Sequence, residues 1–130
     1  MKQHLGAVAL LVRDYDEAIA FYTQCLRFRV VSDTKLSETK RWVVLSPPGA
    51  PETHLLLAQA ATAEQAAAVG NQAGGRVFLF LHTDDFWRDH QAMQTKGVVF
   101  KEVPRREVYG TVAVFQDLYG NLWDLLEPAR

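Results

Sequence analysis

The chain has 130 residues, 48% of them hydrophobic, with 14 Lys and Arg against 15 Asp and Glu for a net charge of −1. A chain of this length buries about two-thirds of its unfolded surface, so one folded domain is expected and disorder is excluded. Balanced charge offers nucleic acid no basic stripe, and the longest apolar runs, Ala7 to Val12 and Val77 to Leu81, fall far short of the roughly 20 residues that span a bilayer. The opening Met1-Lys2-Gln3 is not that of a signal peptide, and a lone cysteine, Cys25, excludes an internal disulfide and an all-Cys metal cage; a soluble, cytoplasmic protein is expected.

Residues 7 to 12, Ala-Val-Ala-Leu-Leu-Val, read as a buried strand ended by the turn residues Arg13 to Asp16. Asp14 then caps a helix, with Glu17 in the capping-box position and Ala18, Phe21, Tyr22, Cys25 and Leu26 on one apolar face. Phe28 to Ser32 and Arg41 to Leu45 are extended, and Pro47-Pro48-Gly49 turns the chain into a further strand, His54 to Ala58. Ala-rich Ala60 to Val69 makes a short helix, while Gly70 to Gly75 does not. Val77 to Leu81 begins the same order again, with a helix capped at Asp84-Asp85, carrying Phe86, His90 and Met93 on its apolar face and ending at Gly97. Val98 to Val103, Thr111 to Gln116 and Leu122 to Leu126 read as three more strands, the last two joined by the Asp117 to Asn121 hairpin.

Placing Asp14 over Asp84 sets the halves 70 residues apart, and the order of elements repeats although few residues match. The expected architecture is α+β: two tandem βαβββ modules in one domain, module one over 4–59, a linker over 60–76 and module two over 77–128. Each four-stranded mixed sheet has one face covered by its helix and needs a second sheet for the other. Paired sheets of that kind enclose a cleft, where ligands usually sit.

Val8 to Tyr22, with its strand, capping Asp and Phe-Tyr helix, followed by Leu26-Arg27-Phe28, and Phe115 to Leu125, with its Asp-x-x-Gly-Asn hairpin, resemble the vicinal-oxygen-chelate superfamily. This group includes glyoxalase I, ring-cleaving dioxygenases and bleomycin-resistance proteins. The resemblance covers nearly the whole chain. One departure is Arg27, where the pattern commonly has Gly and a left-handed backbone costs another residue about 1 kcal/mol. The resemblance implies a glyoxalase/bleomycin-resistance fold and a divalent metal held by four side chains. Its four places fall here on Ala7, His54, Phe78 and Asp124. Ala7 and Phe78 cannot ligate, and His4, three residues before Ala7, points to the opposite strand face. Two ligands hold a metal weakly unless a substrate completes the shell, so no resident cofactor is expected.

The candidate ligand-binding set is therefore Ala7, Ala9, His54, Phe78, Phe80, His82 and Asp124. Phe78 and Phe80 replace a polar centre with aromatic walls, and Ala7 and Ala9 leave room beside them. His54 reads either as a polar handle or as a strand histidine bonded to a neighbour, and Asp124 as a cleft carboxylate or the partner of an Arg. His82 shares the parity of Phe78 and Phe80 but also suits a strand end meeting water. His90 and Cys25 fit packing roles, Trp42 and Tyr109 are possible walls, and Arg41, Arg105 and Arg106 suit either an anion-greeting or a solvated rim. Two functions stay open: a metal-independent small-molecule-binding protein, or a lyase, isomerase or dioxygenase-type enzyme using His54 and Asp124, either with a substrate-assisted metal or as an acid–base pair. A homodimer is expected in either case, as paired modules of this superfamily often complete a cleft across two chains.

Overall fold

A computed structural model describes residues 1–130, which divide into two compact units, Met1–Val69 and Gly70–Arg130. The first unit runs β1 (Ala7–Val12), α1 (Tyr15–Gln24), β2 (Arg29–Lys35), β3 (Arg41–Ser46), β4 (His54–Gln59) and α2 (Ala63–Ala68). Its sheet has the order β1-β4-β3-β2, with β1 and β4 parallel and the other pairs antiparallel. The Asp14 carboxylate accepts from the Glu17 amide at 2.9 Å, satisfying one of the orphan donors at the start of α1. Alternation then sorts the strands. Leu10, Val12, Val43, Leu45, Leu55 and Leu57 are buried on the α1 side, where Arg41 of β3 also meets Asp16 and Tyr15 of the helix.

The second unit runs β5 (Val77–His82), α3 (Phe86–Thr95), β6 (Val99–Phe100), β7 (Arg105–Glu107), β8 (Gly110–Gln116) and β9 (Leu122–Pro128). Its sheet has the order β5-β9-β8-β6, with β7 also on β8. Its core is a run of rings from α3 into the sheet: Phe86 on His90, His90 on Phe100, Phe100 on Phe115, and Phe115 stacked on Trp123 at 5.9 Å. In the hairpin, Asp117 accepts from the Tyr119 and Asn121 amides and from the Asn121 side chain, so this buried carboxylate adds to the backbone bonds that close the turn. No helix is long and apolar enough to cross a membrane.

Several local expectations change. The extended stretch over Val98–Val103 ends as a strand at Phe100, with one further bond from Lys101 N to the Val114 carbonyl, and pairs with β8 again as a strand at Arg105. Pro104, having no N–H to donate, falls in the gap, and the second sheet has five strands instead of four. The strand expected at Phe28–Ser32 is instead Arg29–Lys35, with a register shift between Val30 and Ser32, while Phe28 turns into the core. Cys25 is the half-buried C-cap of α1 and not a core residue. His4 precedes β1 and is exposed, so strand parity does not govern it. The cap of α3 is Asp85, which accepts from Arg88 N at 3.1 Å, whereas Asp84 pairs with the Arg88 guanidinium. The two helix caps therefore stand one residue further apart than an Asp14–Asp84 alignment implies. Gly70, inside the expected linker, lies so close to the hairpin that a Cβ there would collide with the Tyr119 carbonyl oxygen. Gln72 N also donates to Asn121 Oδ1 at 3.3 Å, so this stretch is part of the second unit's own packing.

Candidate functional site

In the first unit the candidates lie on the sheet face turned away from α1. Ala7 stands directly opposite His54 and Ala9 opposite Leu56, and strand alternation puts Trp42 and Val44 of β3 on the same face. Ala7 and Ala9 are exposed, His54 is half-buried and Trp42 is 47% exposed, so the face is shallow and apolar around one imidazole. The His54 Nε2–H donates to the Pro51 carbonyl at 3.0 Å. A carbonyl only accepts, so in this bond Nε2 is the donor.

In the second unit the α3 side of β9 is taken by Trp123, Leu125 and Glu127, whose carboxylate accepts from Phe86 N at 2.8 Å. Asp124 therefore faces the other way. Its cross-strand neighbours are Phe80 on β5 and Val114 on β8. Asp124 is 7% exposed, and its Oδ1 is buried without a hydrogen-bond partner. Burial is the main cause that raises its pKa above the ordinary carboxylate value; Arg105 opposes this and Glu102 adds to it. Phe80, beside it, is 62% exposed. Phe78 falls in the register shift between Val77 and Leu79, which interrupts the shared parity of Phe78, Phe80 and His82 that simple alternation predicts. His82 is the exposed last residue of β5.

The arginines expected at a rim are already engaged. Arg41 meets Asp33 at 2.7 Å and Asp16 at 2.9 Å, and Arg105 meets Glu102 at 2.8 Å, donates to Tyr109 Oη at 3.2 Å and lies 3.7 Å from Glu107. Neither is left to greet an anion unopposed, while Arg106 is exposed. Arg41 also borders an open groove of about 560 Å³, with Asp14, Tyr15, Asp33, Lys35 and Gln59 among its walls. Sequence reasoning did not anticipate this groove. It forms where the β2–β3 turn meets the start of α1, and no motif marks such a meeting.

The residues at the four implied ligand places do not fit a metal cage. Ala7 and Phe78 have no donor atom, and no group of three or more His, Cys, Asp or Glu side chains is arranged to hold an ion. What the second sheet does offer is an unsatisfied carboxylate oxygen set between apolar neighbours.

The profile of the Glyoxalase/Bleomycin resistance protein/Dioxygenase superfamily matches residues 4–125. An uncharacterized protein of Shewanella frigidimarina is 59% identical over 128 residues, covering 98% of this chain and 95% of that protein. Among solved structures, UcmS2 shares 29% identity at a TM-score of 0.85, over 98% of this chain and 99% of that one. TnmS3, described as an antibiotic binding protein from Streptomyces sp. CB03234, shares 27% identity at a TM-score of 0.81, over 98% of both chains.

Proposed function

The chain belongs to the Glyoxalase/Bleomycin resistance protein/Dioxygenase superfamily, and from that premise we propose that it binds a small organic molecule through the sheet faces turned away from α1 and α3, without a resident metal. The observation that carries this reading is the exposed Phe80 beside Asp124 on the second sheet, an aromatic surface with one polar handle. TnmS3, 27% identical, supports the same reading, because its described role is antibiotic binding.

The test is a melting-temperature titration of stripped protein with nickel, zinc, manganese and iron(II), followed by a panel of planar organic molecules. A micromolar metal site at 1 mM ion stabilises a protein by about 4 kcal/mol. The expected result is no such metal shift and a shift with members of the organic panel. A metal shift abolished by both His54→Ala and Asp124→Ala overturns the reading.

A second reading, an enzyme in which Asp124 does acid–base work, is favoured by one observation: burial raises the pKa of its carboxyl above the ordinary carboxylate value. It requires the bound molecule to be consumed. Recovery of an identified ligand unchanged after long incubation removes it. We also propose a homodimer, on the exposed Trp42, Trp87, Val103 and Val108. A monomer in sedimentation at micromolar concentration counts against that.

A further inference from the structure

Asp124 is poorly explained by folding alone. Trp123 and Leu125 on either side of it serve the α3 core, and Asp124 is turned to the opposite face between Phe80 and Val114. It is 7% exposed, with Oδ1 buried and no hydrogen bond to it. An apolar residue of similar volume would occupy that place without leaving a polar atom unsatisfied. Arg105, the cation whose field reaches it, does not supply the missing bond, since its guanidinium donates to Glu102 and Tyr109 and also faces Glu107. Glu102 and Glu107 thus already share that guanidinium. Arg105 is therefore committed to its own carboxylates and leaves Asp124 without a bonded cation.

We propose that Asp124 anchors a protonated amino group of the ligand while the exposed ring of Phe80 receives the adjoining planar, apolar part. This rests on the small-molecule-binding reading above and names the ligand class. An ammonium or amidinium fits better than a divalent ion. One carboxylate satisfies a single cationic donor through a charge-assisted hydrogen bond, whereas a metal demands several ligands that the sheet does not provide. The open face of Phe80 adds an aromatic quadrupole that also favours positive charge nearby. The ordering of charge and ring follows from the register. Asp124 and Phe80 are direct cross-strand partners, so a cationic centre at the carboxylate lies within reach of the ring beside it.

Three planar fluorophores of similar size test this in a mildly alkaline buffer: cationic 9-aminoacridine, uncharged acridine and anionic 9-anthracenecarboxylate. Fluorescence titration of the full chain is expected to rank the cation first, by roughly tenfold or more over acridine, as a charge-assisted bond allows. In Asp124→Asn, which keeps the shape and loses the charge, the cation is expected to fall to within about twofold of acridine, with acridine unchanged. Phe80→Ala is expected to weaken all three together. Melting curves supply an independent readout. Asp124→Leu is expected to fold and melt at or above the parent temperature, because the orphaned oxygen is removed.

If the probes bind without preference for the cation, or the preference survives Asp124→Asn, the inference fails and the broader binding reading stands. If Asp124→Leu and Asp124→Asn both melt well below the parent, Asp124 is a structural residue and the inference fails as well. If none of the three probes binds at millimolar concentration, the planar-ligand reading falls and takes the inference with it.

Discussion

His90 offers a stability test that depends on no ligand. It lies on the buried face of α3, 9% exposed, with its ring centroid 4.3 Å from that of Phe100 and 5.4 Å from that of Phe86, and its Nε2 is buried without a partner. Burial holds its pKa below the ordinary value of 6.5, because the imidazolium would have to give up water with nothing to replace it. On acidification the unfolded chain therefore takes up this proton first. The stability it confers is fully present above the unfolded value, is lost as the pH falls from about 6.5 toward the folded value, and levels off below that. One proton sets the limiting slope at about 1.4 kcal/mol per pH unit.

His90→Phe keeps an aromatic ring against Phe86 and Phe100 and removes the titration. At pH 7 it is expected to be neutral or to stabilise by about 1 kcal/mol, since an unsatisfied buried nitrogen disappears. Urea midpoints of both proteins, measured in steps from pH 7.5 to 4.5, check this. The difference between the curves isolates His90, because carboxylates common to both cancel. Among them is Asp124, whose raised pKa acts with the opposite sign and adds stability as the pH falls through its folded value. The variant's advantage should widen below about pH 6.5. Parallel curves across the whole range, or a loss of more than about 2 kcal/mol at pH 7, would refute the reasoning and mean that the imidazole nitrogen is bonded in solution.

Two further outcomes follow from the backbone. Arg27 holds φ +60°, the one non-glycine residue at positive φ. Arg27→Gly relieves about 1 kcal/mol of left-handed strain and gives part of it back to unfolded-chain entropy, so its urea midpoint should rise slightly, and a fall would show that the Arg27 side chain contributes packing. Asp85→Ala should cost about 1 kcal/mol by removing the α3 cap, while Asp84→Ala, which breaks only an exposed pair with Arg88, should leave the melting temperature unchanged; equal losses would mean that the cap is shared.

The elements set by local chemistry were readable without coordinates. β1 begins and ends where the apolar run does, Asp14 caps α1, and Phe86, His90 and Met93 are the buried face of α3. The left-handed Arg27 was implied only by the family resemblance, whose pattern commonly has Gly there. Each is decided within a few residues by a turn, a cap or a period, and a chain carries such signals wherever it goes. The α+β class and the repeated element order rest on those same signals.

Tertiary pairing decided the rest. The break after Phe100 and the register shift at Phe78 depend on what β8 and β9 present to strands far from them in sequence, and a period of two is blind to either. Composition left Arg41 available to an anion, and folding surrounded it with carboxylates drawn from other elements, Asp33 of β2 and Asp16 of α1. The sequence marks Asp124 as an acid within an apolar strand. That its Oδ1 is left without a donor, next to an exposed Phe80, emerges only when three strands meet, because burial and hydrogen-bond satisfaction are properties of neighbours that the linear chain does not contain.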